Sequence, residues 1–338
     1  MSKSNVLRLV LAVVACALVA QAAGDSGMEV LKKFQVGGEG GWDYIVVDAE
    51  ARRVYVSHAT HVVVLDADTG AQLADIPDTP GVHGIAIVKD AGKGYITAGR
   101  DNSAVVFDLK TLKPTGKVAI GQNPDALLYD PASKHVFIFN GRSHDASVID
   151  ARTDTVVATI PLGGKPEAGA SDGAGMVYVN IEDKHSIAVI DTKNNTVTAT
   201  WVMEGCEDPT GLSLDKKNSR LFAACGNKVL AVVDAANGKV ITTVPTGAGS
   251  DGDAFDADRG LIYTSNGEGT LSVIRQDSKD KYTLVENVST QRSARTIALD
   301  TKTHNVLLPA AEFGQPAAPG KRGPMVPDSF IVLVVGRK

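Results

Sequence analysis

Asp43, His83, Asp125, Glu167, Thr210, Asp251 and Arg295 follow one another along the chain at intervals of 40 to 44 residues. Four carboxylates, an imidazole and a guanidinium at one periodic position can do two kinds of chemistry. They can hold a hard cation through oxygen, or they can pair with the charged and hydroxyl groups of a ligand. Acids aimed at one point repel one another unless a divalent cation, a shared proton or Arg295 offsets them. A rim of solvated carboxylates, by contrast, needs no ligand at all, so the elements that carry these residues decide what they do.

Those elements repeat with the same period. An aromatic or apolar triplet recurs as Val54-Tyr55-Val56, Gly94-Tyr95-Ile96, Val136-Phe137-Ile138, Val177-Tyr178-Val179, Leu221-Phe222-Ala223, Ile262-Tyr263-Thr264 and Val306-Leu307-Leu308, about twelve residues after each of the seven. A second marker follows in phase as Leu65-Asp66, Phe107-Asp108, Ile149-Asp150, Ile190-Asp191 and Val233-Asp234, and the sixth unit breaks it with Ile274-Arg275. In the third unit, residues 126–129, 135–139, 146–149 and 155–160 are β-branched or apolar runs separated by turn compositions. No run of helical period intervenes. Units of this length with four short strands predict an all-β, seven-bladed β-propeller of four-stranded antiparallel blades, near 41–80, 81–121, 122–163, 164–205, 206–247, 248–290 and 291–338. Residues 30–36 form an outer-strand pattern with no inner strands of their own, whereas the last unit lacks an outermost strand. The N-terminal strand is therefore expected to complete the last blade.

This template puts Asp43, His83, Asp125, Glu167, Asp251 and Arg295 at one mouth of the central channel. The loops after each second strand open on the same face and carry Asn140, Asn180 and Asn266, among others. From Glu312 onward, residues 312–328 form a long connection with four prolines, expected to be a stiff arm over that mouth. The opposite face is read as scaffold. There Asp66, Asp108, Asp150, Asp191 and Asp234, and likewise Asp48, Asp130, Asp215, Asp256 and Asp300, open tight turns in which a carboxylate caps the backbone two residues on.

Residues 1–22 stand outside the fold. Lys3 precedes and Arg8 enters an apolar stretch over 6–19, and Ala20-Gln21-Ala22 suits a signal peptidase, so cleavage after Ala22 and a periplasmic or secreted protein are expected. A lipidated start at Cys16 is disfavoured because apolar residues continue past it. Removing Lys3 and Arg8 takes the net charge from −5 to −7. With no basic stripe, nucleic acid is excluded as a partner, and no membrane insertion is expected after signal removal. Cys206 and Cys225 remain, at the same end of one hairpin, in a compartment that favours a disulfide.

Segments such as Met176-Val-Tyr-Val-Asn180, Ser186-Ile-Ala-Val-Ile-Asp191 and Thr159-Ile-Pro-Leu-Gly163 resemble the YVTN-repeat, YncE-like periplasmic propellers over nearly all of the mature chain. The resemblance implies an exported seven-bladed propeller and little about chemistry. The string Gly169-Ala-Ser171-Asp-Gly173 matches Gly-x-Ser-x-Gly but lies in a strand repeat with no helical run after it, so it makes no nucleophile elbow. Neither His-Glu-x-x-His nor a phosphate-binding glycine loop occurs, and nucleophilic catalysis has no foothold. A monomeric, non-catalytic module that binds a small molecule or a periplasmic protein through its channel face is the favoured reading. The alternative is a metal-dependent hydrolase resembling gluconolactonase-type propellers, whose Glu, Asn and Asp ligands cannot be matched residue by residue here. A redox propeller similar to the haem d1 family is weaker still, since Cys-x-x-Cys-His is absent.

Overall fold

Alternating apolar residues, broken every few positions by Asp, Asn, Gly and Thr, leave the chain little choice but short antiparallel strands. The computed structural model describes residues 26–316, 318 and 323–338 and arranges them as seven four-stranded sheets. The expected signal peptide lies outside the described residues. Six sheets are simple meanders of consecutive strands, and the inner strands of blades I to VII are Ile45–Asp48, Val82–Val88, Pro124–Asp130, Pro166–Ser171, Pro209–Asp215, Ser250–Asp256 and Ala298–Asp300. Two short 3₁₀ turns, Lys89–Ala91 and Glu182–Lys184, are the helical elements among the described residues. None is long and apolar enough to cross a membrane.

The ring closes as the sequence predicts. Strand Met28–Gln35 pairs antiparallel with Ile331–Arg337, from Met28 opposite Arg337 to Gln35 opposite Ile331, and becomes the outermost strand of blade VII. Its Phe34 side chain packs over Gly70 in the outer turn of blade I. A Cβ on Gly70 would meet the Phe34 ring at 2.3 Å, and the residue sits at φ +75°, so glycine is required there twice over.

The aromatic marker explains how blades adhere. Tyr55, Tyr95, Phe137, Phe222 and Tyr263 are wholly buried and Tyr178 nearly so. Tyr55 of blade I meets Phe107 of blade II at 5.8 Å, and Phe222 of blade V meets Phe255 of blade VI at 5.1 Å. The hydroxyl of Tyr95 reaches Asp154 in blade III, and that of Tyr178 donates to Ala235 O in blade V at 3.2 Å. Each such ring buries enough apolar surface to contribute about 1.5–3 kcal/mol, and it does so across a blade junction, so the core is a set of wedges between neighbours.

The outer turns behave as the Asp pattern requires. Asp66 Oδ1 accepts from the amides of Asp68 and Thr69, Asp108 Oδ1 from Lys110 and Thr111, and Asp191 Oδ1 from Lys193 and Asn194. In blade VI the strand Thr270–Ser278 runs on past Arg275 before turning, so no aspartate is needed at that point. Cys206 and Cys225 form a disulfide, with Cα atoms 5.4 Å apart, and Cys225 lies opposite Pro209 in the hairpin register.

Candidate functional site

His83, Asp125, Glu167, Thr210 and Asp251 are each the second residue of an inner strand, and in each of these strands the pairing with the next strand slips at that point. A bulge adds a residue and turns its side chain out of the ladder's alternation. Here it supplies the local geometry that re-aims a side chain at the mouth.

Neighbouring blades then pin the backbone. Thr97 Oγ1 donates to Asp125 O at 2.7 Å, Thr210 Oγ1 to Ser250 O at 3.2 Å, Ser265 Oγ to Arg295 O at 2.5 Å and Thr296 Oγ1 to Asp43 O at 2.7 Å. Asn180 Nδ2 does the same for Thr210 O and Gly211 O. In every case one blade holds the mouth segment of the next.

The side chains so placed form an arc across six blades. Asp251 of blade VI pairs with Arg295 of blade VII, whose Nη2 stands 3.5 Å from Asp43 Oδ1 of blade I and donates to Trp42 O at 3.1 Å. Asp43 Oδ2 is 2.6 Å from His83 Nδ1 of blade II, which is 3.5 Å from Asp125 Oδ1 of blade III. Blade IV continues with Glu167, whose carboxylate is 2.7 Å from Lys165 Nζ, and Lys165 also binds Glu182. Thr210 of blade V stays out of the arc because its hydroxyl serves backbone carbonyls.

Electrostatics follow from burial. Burial, reinforced by Asp43, pushes the Asp125 carboxyl up to about 6. Burial and then Asp125 push Glu167 up to about 8, against the lowering effect of Lys165. For His83 burial disfavours the cation, but the hydrogen bond with Asp43 and the charge of Asp125 outweigh it, and the imidazole is held above its usual value. Between this arc and the axis lies Tyr44, which reaches from blade I to apolar residues of blades III and IV and whose phenol is raised by burial, then by Asp125 and Glu167. It lines an axial cavity of about 170 Å³ with Gly84, Leu127, Gly169, Leu212, Asp253 and Ile297.

The other sequence-derived candidates are not brought into the arc. Asn140 and Asn266 are wholly buried and hydrogen-bond within their own blades, Nδ2 reaching Ser147 Oγ at 3.0 Å and Ser272 Oγ at 2.9 Å. Asn180, also wholly buried, is the inter-blade stitch described above. Glu312 is exposed at the rim, where its backbone pairs with Val326 and Ser329. The described part of the arm rests there too, with Phe313 6.0 Å from Trp42. Sequence reasoning placed Glu182 on the loops of this face but missed Lys165, Tyr44 and Asp253. Asp253 had a signal: two residues beyond the mouth position the other blades carry Ile45, Ile85, Leu127, Gly169, Leu212 and Ile297.

The fold recurs in solved structures. The chain superposes on hydrazine synthase of Kuenenia stuttgartiensis with TM-score 0.71 at 14% identity, covering 81% of this chain and 94% of that one. It superposes on the WD40 repeats of RRP9 with TM-score 0.76 at 10% identity over 94% and 99%, and on U3-55K with 0.75 at 10% over 92% and 99%. No protein-family model matches the chain, and no curated protein matches it in sequence. These likenesses define its class, a seven-bladed β-propeller with WD40-like blades, and they speak to fold alone.

Proposed function

We propose that the protein is an exported, non-catalytic binding module of the YncE-like kind, which takes a small cationic or hydroxyl-rich ligand at the channel mouth. The observation that carries this reading is the imbalance of the arc. Asp43, Asp125, Glu167, Glu182 and Asp251 face Arg295, Lys165 and a single imidazole, and Arg295 is already engaged by Asp251, Asp43 and Trp42 O. Within the arc, among the described residues, an anionic group therefore finds no cation that is not already paired, whereas an ammonium or hydroxyl finds acceptors. The hydroxyls of Thr97, Thr210, Ser265 and Thr296 are bonded to backbone carbonyls, which argues against a nucleophile among them. Export is supported by the apolar stretch ahead of Ala20-Gln21-Ala22 and by the disulfide, which persists in oxidising compartments.

The test is a thermal-shift and calorimetric screen of aliphatic diamines, amino sugars and neutral polyols. Glu167→Gln with Asp251→Asn should weaken any hit about tenfold or more, since a charge-assisted hydrogen bond contributes about 1.5–3 kcal/mol and 1.4 kcal/mol is a decade. Asp108→Asn with Asp150→Asn should lower stability and leave affinity alone. Unchanged affinity in the first variant places binding elsewhere.

A further inference from the structure

We propose that Asp43, His83 and Asp125 form a binding site for a divalent transition-metal ion of the zinc class. One ligand atom from each, Asp43 Oδ2, His83 Nδ1 and Asp125 Oδ1, lies within 4.8 Å of the others. The Nδ1 of His83 is 2.6 Å from the first and 3.5 Å from the second carboxylate oxygen. Bonds of about 2.0–2.2 Å in a tetrahedral site set ligand atoms roughly 3.4 Å apart, so an ion needs only a modest opening of the shorter contact.

A second observation points to a missing occupant. Asp125 is 8% exposed, and its Oδ1 is closed to solvent and has no hydrogen-bond partner. The imidazole presents Nδ1 to both acids but has one proton there, which the 2.6 Å contact with Asp43 takes. A buried carboxylate oxygen left without a partner carries a desolvation penalty that a cation between the three atoms removes. Charge agrees: Lys165 answers Glu167 and Glu182, Arg295 is shared between Asp251 and, at 3.5 Å, Asp43, and Asp125 has only the imidazole that Asp43 also takes.

The surroundings hold these ligands in place. The Nε2 edge of His83 lies against Gly99, where a Cβ would come within 3.0 Å of Cδ2 and Nε2, so the ring is seated with Nδ1 toward the acids. The Asp43 amide donates to Ser57 Oγ at 2.7 Å, and the carbonyls of Asp43 and Asp125 are pinned by Thr296 and Thr97. A nitrogen donor and three protein ligands suit zinc, cobalt or nickel, whereas calcium takes six to eight oxygens. The only other such cluster among the described residues, Asp256, Asp258 and His304 on the opposite face, offers no orphaned oxygen: both Asp256 oxygens are engaged, by the amides of Asp258 and Arg259 and by His304.

The proposal rests on reading the channel mouth as the binding face, but on no organic ligand. The full chain, disulfide intact and stripped with chelator, is titrated with Zn²⁺ by calorimetry and with Co²⁺ by visible absorption. One equivalent should bind saturably, with d–d bands of low coordination number. His83→Asn and Asp125→Asn should each weaken binding about a hundredfold or more, a loss at least that of removing an outer-shell partner, while His304→Asn leaves it unchanged. Asp43→Asn repeats the test should either variant misfold, as judged by metal-free thermal unfolding. Absence of a saturable equivalent, equal binding by the variants, or loss in His304→Asn overturns the proposal. Diamine or polyol binding by a parent protein that takes up no metal sinks this inference and spares the proposed function.

Discussion

Replacing Asp253 with Asn should change not the stability of the protein so much as its dependence on pH. The carboxyl lines the axial cavity, its Oδ2 accepting a hydrogen bond from Ser213 Oγ while Oδ1 is shut off from solvent and has no partner. Burial pushes it up to about 7 from an ordinary 3.8, against the lowering effect of Ser213. Between those values the folded chain keeps a proton that the unfolded chain has lost, so stability falls as pH rises through the window and levels off above it. At 1.36 kcal/mol per pH unit over about three units, the fall has an upper bound of about 4 kcal/mol. Asparagine matches the neutral acid in shape and cannot ionise. Urea unfolding followed by the fluorescence of Trp42 and Trp201, repeated from pH 4 to pH 8, gives the stability difference between variant and parent, in which the other titrating groups largely cancel. The difference should move in favour of Asp253→Asn by up to about 4 kcal/mol as pH rises. A difference that stays constant, or moves toward the parent, refutes a neutral Asp253 in the channel.

The disulfide closes a loop of 19 residues, so Cys206→Ser with Cys225→Ser should lose about 3 kcal/mol in chemical denaturation, and reductant should leave that variant unaffected. Arg220 is 2% exposed and pairs with Asp234 at 3.1 Å and Asp280 at 2.6 Å; because both acids keep some water, Arg220→Met should cost about 2 kcal/mol, less than a fully buried pair, with no effect on binding at the mouth. Thr97→Val keeps the volume but strands Asp125 O and Gly84 N, which should cost about 1–3 kcal/mol in thermal unfolding and loosen Zn²⁺ binding relative to the parent.

How much of this was legible in the sequence depends on the length of the side chain involved. The period, the ring closure by Met28–Gln35 and the cysteine pairing follow from backbone register, which a repeat displays directly. The mouth position was legible for the same reason, because counting back from Tyr55 or Phe137 counts backbone. Lys165 was not, since it lies two residues outside the template position and reaches Glu167 and Glu182 only by its long side chain. Asn140 and Asn266 stand three residues after the aromatic marker, Asn180 only two. Strand alternation turns that single step into a different partner: the first two bond inside a blade, the third bonds the next blade.

The same registers explain why the mouth can vary while the wedges between blades cannot. An aromatic marker residue supplies the apolar area and often the hydroxyl that joins two blades, so its identity is tied to the stability of the ring. His83, Asp125, Glu167 and Asp251 sit at bulges, outside the ladder's alternation, and the neighbouring blade holds Asp43, Asp125 and Arg295 by the carbonyl, a group every residue has. A mouth side chain is therefore released from the scaffold and can be Asp, His, Glu or Arg without altering the fold. Thr210 is the exception that supports the rule. Its own Oγ1 makes the stitch to Ser250 O, so in blade V the side chain belongs to the scaffold, and it is in blade V that the charged arc ends.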